Sequence, residues 1–401
     1  MLTETQPAQS ELFLAPPSTL LSPITDPTTG QPSYAFPLQT TAWLKMQNVV
    51  RIALGFPLSE VQFTNLYGTF SAEATIDEAL AVLGTIQKTA AEYGDPTTLI
   101  TQLPAFQQAS TAPDSIYGSA VWLAAQTQLA AQQIAALLQE GLDDIGTNPD
   151  PQTRINELTA LLTGDGGITS LSTTLNGQIS AFQTKTSTFY TTLNTEIGNP
   201  QAPNSLEWYI GQDNNVLDLA KQAVKDDQTA IDDMQSTIKQ LNDEYIGFTV
   251  AASVSPVFLL IPFVGIFIAV ADATTFAILA TKVKEKLDQV KSQLEGEEAE
   301  QQKKNALVTQ LGGFNTSVAD VDTDGKAFLD AIGQMISGWT EFEGQINLRL
   351  KSLTTQDVED WGAFMTKIGF KTSLDGWNLI GSKAELFFQA GFVQFSTQSS
   401  S

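Results

Sequence analysis

The sequence predicts an all-α protein: an elongated, coiled-coil-like bundle of long antiparallel helices with an apolar tongue or hairpin at one end. Apolar residues recur at intervals of three and four over most of the 401 residues, which is the spacing of one face of an α-helix. Polar caps, prolines and glycines divide this pattern into segments of helical length. One continuous apolar run, Ile246–Ala280, stands apart and carries a single charged residue, Asp272.

The first 39 residues differ from the rest in composition. They are rich in Pro, Thr, Ser and Gln and contain seven prolines. Such a segment buries little apolar surface, so we expect a proline-rich arm, either solvated or draped over the bundle. The first basic residue is Lys45, which leaves no basic start for a cleavable secretion signal. Export would then use another route.

Glycine and proline delimit the first predicted helices. Within Thr40–Tyr67 we expect a helix that ends near Gly55 and Pro57, followed by a short second helix. A further helix is predicted over Ala72–Tyr93, because its apolar residues share one face and Gly94 supplies the stop. These helices begin the body of the bundle.

Aspartates mark further predicted helix starts. An aspartate carboxylate caps the free N–H groups of a first turn, and proline fits the first helical position. The candidates are Asp95 and Asp150, each followed by proline, and Asp114. Each of them should therefore stand just before a helix.

Two long helices are expected in the middle of the body. Ser115–Leu142 is predicted to be one helix with an apolar stripe of Trp122, Ala125, Leu129, Ile134, Leu137 and Leu138. Arg154–Ile197 keeps the same spacing, and its glycines at Gly164–Gly167 are expected to break or kink it.

A long helical hairpin is predicted next, over residues 205–312. Asn204 and Glu207 resemble a capping pair for an arm that would run unbroken from Ser205 to Tyr245. The stripes of the two arms are Ile231, Met234, Ile238, Leu241 and Tyr245 on the way out, and Phe276, Leu279, Val283, Leu287, Val290 and Leu294 on the way back. Two such arms pack most simply as an antiparallel pair.

The apolar run between the arms, residues 246–280, is the predicted membrane-insertion tongue. Its insertion residues are Ile246, Phe248, Val250, Val254, Val257, Phe258, Leu259, Leu260, Ile261, Phe263, Val264, Ile266, Phe267, Ile268 and Val270. Together they favour a bilayer by about 5–9 kcal/mol on insertion scales. The candidate hinge residues are Gly247, Pro256, Pro262 and Gly265.

The conformation of the tongue is left open by the sequence. Phe248, Val250 and Val254 favour strands, whereas Phe267–Ala280 suits a helix. Beyond the tongue, Lys282, Lys284 and Lys286 are candidate contacts to anionic lipid headgroups. Acidic residues are interleaved with these lysines, so an ordinary solvated helix face is the alternative.

The C-terminal residues, 313–401, are predicted to complete the bundle. Phe314–Leu353 and Asp357–Phe370 have helical spacing. Leu374–Phe395 is rich in aromatic residues and is expected to be a closing helix packed on the bundle, with a receptor-contacting patch as the alternative.

Composition excludes several classes of function. The net charge of −24 and the pI near 4.2 argue against nucleic-acid binding, which needs a basic face. The chain has no cysteine and no histidine, so thiolate sites, Ser-His-Asp triads and the commonest metal ligand are missing. We therefore predict no enzyme, no catalytic residues, no metal and no cofactor.

One acidic motif resembles the start of a calcium loop. Asp320, Asp322 and Asp324 stand at alternate positions before Gly325. The position that should supply a bidentate glutamate is Ala331. We interpret the motif as an acidic turn between helices.

Taken together, the long amphipathic helices and the single apolar tongue resemble the α-helical pore-forming toxins of the cytolysin A type. The likeness is greatest to components of the xenorhabdolysin and haemolysin BL binary or tripartite toxins, and it covers residues 40–353. Within it, Ile246–Ala280 takes the place of the membrane-inserting tongue. The N-terminus departs from the family pattern, because cytolysin A has an amphipathic membrane helix where this chain has prolines.

The resemblance implies a secreted toxin component that is soluble as a monomer, exposes its tongue at a target-cell membrane and oligomerises into a lytic pore. The oligomer would contain copies of this chain or a second toxin subunit. Two alternatives stay open, a helical protein anchored in its own membrane and a structural coiled-coil protein without lytic activity. The predicted division is 1–39, arm; 40–204, body; 205–312, hairpin with tongue 246–280; and 313–401, closing helices.

Overall fold

The computed structural model describes residues 13–25, 32–70, 73–94, 103–213, 215–223, 257–260, 267–270, 303–304, 307–308, 311, 314 and 321–390. In this part of the chain the helices are α1 Thr41–Leu54, α2 Glu60–Tyr67, α3 Glu73–Tyr93, α4 Leu103–Gln108, α5 Ile116–Ala136, α6 Leu142–Thr147, α7 Pro151–Thr163, α8 Ile168–Gly198, α9 Leu206–Ile210, α10 Val216–Ala223, α11 Val321–Ser352, α12 Trp361–Lys367 and α13 Phe370–Ala390. The strands are β1 Ser22–Thr25, β2 Pro32–Ala35, β3 Val257–Leu260 and β4 Phe267–Val270.

The body is a bundle of long helices around one hydrophobic core. Helix α13 packs along α5, and α11 packs along α8. Helices α1 and α3 pack against each other and against α11 and α8. The longest helices, α8 and α11, have 31 and 32 residues, which corresponds to about 45–50 Å each. An elongated all-α bundle, as the sequence predicts, is confirmed.

Local capping explains where the body helices begin. Thr40 Oγ1 accepts a hydrogen bond from Trp43 N at 3.1 Å, and α1 ends at Gly55 as predicted. Asp150 Oδ2 accepts from Thr153 N at 2.9 Å, with Pro151 at the first helical position. The predicted start at Asp150 is therefore confirmed. The predicted start at Asp95 lies outside the described residues.

The predicted break at Gly164–Gly167 is also confirmed. It separates α7 from α8, and Gly166 has a φ of +74°, a left-handed conformation that glycine adopts without strain. Residues Gly164 and Gly167 are joined by a backbone hydrogen bond of 2.9 Å.

Helix α5 differs from its predicted form in three ways. Its cap is Ser115, whose Oγ accepts from Gly118 N at 3.0 Å, and not Asp114. It ends at Ala136 and continues as a π-helical turn over Leu137–Gly141. It is buried on nearly all sides, while Leu129, assigned to its apolar stripe, is 37% exposed. A single apolar stripe does not describe this alanine-rich helix, because it lies in the middle of the bundle and is covered on most sides.

The N-terminal arm is packed against the bundle over residues 13–25 and 32–38, called the strap below. Strands β1 and β2 pair antiparallel, with Ser22 opposite Ala35. The strap buries the side chains of Phe13, Leu14, Leu20, Phe36 and Leu38. Of the two predicted forms, the described part of the arm therefore has the draped one.

Two glycines make room for the strap on the helices beneath it. A Cβ on Gly376 of α13 would lie 2.7 Å from Pro16, and a Cβ on Gly338 of α11 would lie 2.7 Å from Leu20. Trp377 Nε1 donates a hydrogen bond to the carbonyl of Leu14 at 2.9 Å. These contacts fix the strap across α11 and α13.

The acidic motif near residue 322 is helical, so the interpretation as an interhelical turn is wrong for its described residues. Asp322, Asp324 and Gly325 lie in the first turns of α11. Asp324 Oδ2 lies 3.4 Å from Lys45 Nζ of α1. A Cβ on Gly325 would lie 2.7 Å from the ring of Tyr190, so the glycine serves close helix packing. Asp320 lies outside the described residues.

The C-terminal helices largely follow the prediction. Helix α12 begins one turn later than expected, because Asp360 rather than Asp357 caps it, accepting from Ala363 N at 3.0 Å. Helix α13 buries Trp377 and Phe387 against the bundle. The closing helix is therefore confirmed as far as residue 390.

Candidate membrane-insertion site

The predicted tongue contains a short antiparallel strand pair. Strands β3 and β4 pair with Val257 opposite Val270 and Leu260 opposite Phe267. Residues 261–266 connect them, so the pair is a β-hairpin. Pro262 and Gly265, two of the candidate hinge residues, lie in this connection, outside the described residues.

All eight paired residues are apolar by sequence. Successive residues of a strand belong to opposite faces of a sheet. Both faces of this pair are therefore formed by apolar residues. A strand pair of this kind has no polar face to present to water, unlike the half-polar strands of an ordinary antiparallel sheet.

Of the two conformations left open for the tongue, strand is correct at its centre. The helix expected over Phe267–Ala280 is wrong for Phe267–Val270, which form β4. Composition does not distinguish the two conformations, since a short apolar run can form either a strand or a buried helix. Here the pairing with β3 selects the strand. The other predicted insertion residues, Gly247, Pro256 and the three candidate headgroup lysines lie outside the described residues.

The last described residues before the tongue form a turn between α9 and α10. The predicted cap at Asn204 is wrong, because Ser205 Oγ accepts from Trp208 N at 3.1 Å and Asn204 takes a left-handed φ of +73°. Helix α9 stops after Ile210, so the arm does not run unbroken from Ser205.

Asn215 organises the turn between α9 and α10. Its side-chain Nδ2 donates to the carbonyls of Ile210 at 3.1 Å and Gln212 at 2.7 Å. Its Oδ1 accepts from Asp218 N at 3.0 Å, and the Asp218 carboxylate accepts from Asn215 Nδ2 at 2.9 Å. Asn215 is 2% exposed. Sequence analysis missed this cap, although asparagine followed three residues later by aspartate is a recognisable start signal.

Tyr209 completes the turn. Its hydroxyl oxygen accepts a hydrogen bond from Val216 N, the first residue of α10, at 3.0 Å. Burial raises the pKa of Tyr209 to about 12. The phenol therefore stays neutral at physiological pH and acts as a fixed hydrogen-bond partner.

The described residues that follow the tongue in the sequence also contact the bundle. Leu307, Val308, Leu311 and Phe314 are all buried, and the ring of Phe314 meets that of Phe56 edge-on at 5.0 Å. Lys304 Nζ donates to the carbonyl of Thr69 and lies 3.5 Å from the ring centroid of Phe70. Both ends of residues 224–302 are thus fixed to the bundle.

Metal sites and membrane-spanning helices were also sequence-level possibilities, and the described residues contain neither. Among them, no cluster of three or more acidic, histidine or cysteine side chains has a metal-binding arrangement. No helix within the described ranges combines the length and hydropathy that a membrane span requires.

Comparison with known proteins gives matches at the level of structure. Neither a family model nor a curated protein matches the sequence. The chain is similar to soluble SmhA of the tripartite alpha-pore forming toxin Smh from Serratia marcescens, with a TM-score of 0.53, 11% identity, and 90% of this chain and 95% of that chain covered.

Two further solved structures match less well. They are the HblL1 toxin component of Bacillus cereus, with a TM-score of 0.48 and 13% identity over 90% of this chain and 97% of that one, and soluble AhlB of the tripartite toxin AHL from Aeromonas hydrophila, with 0.49 and 14% over 90% and 94%. Of these three structures, SmhA alone has a TM-score above 0.5, and the shared fold is inferred from SmhA. The chain shares the fold of a soluble component of an α-pore-forming toxin, which confirms, for the fold, the resemblance that the helices and the tongue predicted.

Proposed function

We propose that this chain is a component of an α-helical pore-forming toxin. The observation that supports it most strongly is an all-apolar β-hairpin, β3–β4, in a bundle with the fold of SmhA, itself a component of a tripartite alpha-pore forming toxin. The activity is the permeabilisation of a membrane and involves no catalysis. The protein is secreted and acts at a target-cell membrane.

The physical basis is that exposing the apolar surface of the tongue is unfavourable in water and favourable in lipid. Apolar surface of this extent favours association when water covers it, so the soluble monomer keeps it folded back. A bilayer offers the same surface a better partner, by about 5–9 kcal/mol for the insertion residues of the tongue. Contact with lipid therefore favours the form of the protein in which the tongue is exposed and inserted.

The inserted form must be an oligomer. Every backbone hydrogen bond within a bilayer has to be satisfied, which requires helices or a closed barrel. One hairpin cannot enclose a water-filled channel, so several copies form a closed ring. Since SmhA is a component of a tripartite toxin, we propose that a second subunit takes part.

A matched pair of variants tests the role of the tongue. Val264→Asp places a carboxylate among the insertion residues, at a cost of roughly 2.5–3.5 kcal/mol in a bilayer. Val61→Asp makes the same change on α2, where Val61 is 70% exposed. We expect Val264→Asp to abolish flotation with phosphatidylcholine–phosphatidylserine vesicles and release of a trapped dye, and Val61→Asp to leave both at the wild-type level.

The outcomes separate the alternatives. Wild-type protein that neither floats nor releases dye, even with its companion subunits, would remove the toxin proposal. Oligomers that form in the absence of lipid, without dye release, would indicate a structural coiled-coil protein. Protein that is obtained only in detergent would indicate a resident membrane anchor.

The candidate headgroup lysines need a separate test. Changing Lys282, Lys284 and Lys286 together to glutamine removes three positive charges beside the tongue. We expect binding to anionic vesicles to weaken and binding to neutral vesicles to stay the same, because juxtamembrane lysines respond to the surface potential. Equal binding of wild type and variant to both vesicle types would assign these lysines to a solvated helix face.

A further inference from the structure

Four buried hydroxyl groups in the body have no hydrogen-bond partner in the described part of the chain. They belong to Tyr93 of α3, Tyr117 of α5, and Thr186 and Tyr190 of α8, called the hydroxyl cluster below. These residues are only 0–6% exposed. Buried hydroxyls almost always have a partner, because a desolvated donor or acceptor without one destabilises the folded state. The cluster therefore needs partners beyond those that the described residues supply.

The members of the cluster lie in one part of the core. The ring centroids of Tyr93 and Tyr117 are 6.4 Å apart. Burial raises the pKa of Tyr93, and the neighbouring phenols of Tyr190 and Tyr117 raise it further by their electrostatic effect. Thr186 precedes Tyr190 by about one turn of α8, and helical side chains lean toward the N-terminus, so the two lie on one face. Three helices thus contribute hydroxyls to the same region.

The cluster also adjoins a partly solvated ion pair. The pKa of Tyr190 is raised by burial first and then by the carboxylate of Asp324 on α11. Asp324 Oδ2 lies 3.4 Å from Lys45 Nζ, and the two side chains are 16% and 28% exposed. Tyr190 is therefore near both the buried phenol of Tyr93 and a pair of charges that solvent reaches.

We propose that the hydroxyl cluster binds internal water that bridges Tyr93 to Tyr190 and Tyr117. The hydroxyls are uncharged, and each can donate one hydrogen bond and accept others, which matches a water molecule. A metal ion would need anionic ligands, and the carboxylate of Asp324 is already paired with Lys45. Internal water typically makes about three hydrogen bonds to buried polar groups. Such bonds join α3, α5 and α8 directionally, in addition to the packing of their rings.

Tyr93→Phe tests the site, because it removes one hydroxyl and keeps the ring. A bridging water would lose one of its hydrogen bonds, so we expect the equilibrium constant for folding to fall about fivefold. A hydroxyl that is bonded to nothing would give the opposite result, since its removal relieves the cost of a desolvated group. Urea denaturation monitored by circular dichroism measures the constant. An unchanged or raised constant would overturn the proposal.

A shared water should couple two members of the cluster. Tyr93→Phe and Tyr190→Phe together should lower the folding constant by less than the product of their separate effects, because both remove bonds to the same water. Multiplicative effects would contradict the bridge.

Tyr209→Phe is the matched control. The Tyr209 hydroxyl oxygen accepts a hydrogen bond directly from Val216 N at 3.0 Å. Tyr209 is near Glu78 in the first turns of α3, whereas Tyr93 is the last residue of that helix. The effects of Tyr209→Phe and Tyr93→Phe should therefore multiply.

The internal water can also be detected directly. Oxygen-17 magnetic relaxation dispersion of the solvent reports water molecules that are held inside a protein while it tumbles. We expect a smaller dispersion amplitude for the double variant Tyr93→Phe, Tyr190→Phe than for the wild type, and an unchanged amplitude for Tyr209→Phe. Equal amplitudes in the double variant and the wild type would overturn the proposal. This measurement uses no membrane, so its failure is separate from that of the proposed function.

Discussion

The centre of the bundle and the turn between α9 and α10, called the joint below, are held together by different interactions. At the centre, the Trp43 ring lies 5.3–5.8 Å from four other rings, those of Tyr93, Tyr117, Phe328 and Phe387. These five residues, the aromatic centre, come from α1, α3, α5, α11 and α13. The joint is held instead by directional hydrogen bonds of Asn215 and Tyr209.

The two kinds of interaction contribute differently to the free energy of the folded protein. Packed aromatic rings gain free energy from each contact, and a close-packed core loses stability when one ring is removed. Hydrogen bonds contribute only about 1 kcal/mol each, because an alternative partner replaces most of what is lost. We infer that the aromatic centre sets the stability of the bundle, whereas the joint sets the angle between α9 and α10.

The largest expected effect is at the aromatic centre. Trp43 is 1% exposed, and Trp43→Ala would leave a large cavity where five helices meet. We expect a loss of about 3–5 kcal/mol of unfolding free energy, measured by urea denaturation monitored by circular dichroism. Trp43→Phe, which keeps a ring, should lose less, and equal losses in the two variants would contradict the role of packing.

A smaller effect is expected at the joint. Asn215→Ala removes the cap of α10, which costs about 1–2 kcal/mol. The loss should be local: hydrogen exchange should speed up in residues 216–220 and stay unchanged in α5. Faster exchange throughout the bundle would show that the joint and the aromatic centre unfold as one unit.

The smallest expected effect is a pH dependence of stability that comes from Glu196 and not from the aromatic centre. Glu196 on α8 accepts a hydrogen bond from Thr89 Oγ1 of α3 at 2.8 Å. Burial raises its pKa, and Glu92 adds to this, while Thr89 and Lys88 oppose it. Burial also raises the pKa of Tyr93 and Tyr117 well above 10, so the aromatic centre does not titrate in this range.

The sign of the Glu196 effect follows from the raised pKa. The folded state holds the proton more tightly than the unfolded state, so the contribution of Glu196 is greatest below pH 4.5 and is lost as pH rises through the folded pKa. Wild-type unfolding free energy should fall relative to Glu196→Gln over this range. Thermal unfolding of both proteins between about pH 4 and pH 8 tests this, and parallel profiles would contradict it.

Many helix boundaries could be predicted because their causes are local. The Asp150–Pro151 start and the Gly164–Gly167 break lie within a few residues of the groups they satisfy. The same holds for the end of α1 at Gly55. Asn215 is an equally local helix-start signal, but it was not predicted because the arm was expected to be one unbroken helix from Ser205. The apolar tongue, as the candidate site, was predicted from composition alone.

Other features depended on contacts that are distant in sequence. The strap is packed because Gly338 and Gly376, more than 300 residues away from it, leave space for Leu20 and Pro16. Gly325 stands at the position of the glycine in a calcium-loop motif, yet it lies in a helix and packs closely against Tyr190. Neither partner can be found from spacing along the chain.

By itself, the sequence determined that this chain forms amphipathic helices with defined ends and contains one long apolar segment. Capping, proline and the 3.6-residue period act over a few residues, and the chain carries those signals directly. Only the tertiary structure decided that α5 is buried on nearly all sides, that the strap crosses α11 and α13, and that Phe267–Val270 forms a strand. Burial and strand pairing depend on partners brought together by folding, and no local pattern encodes those partners.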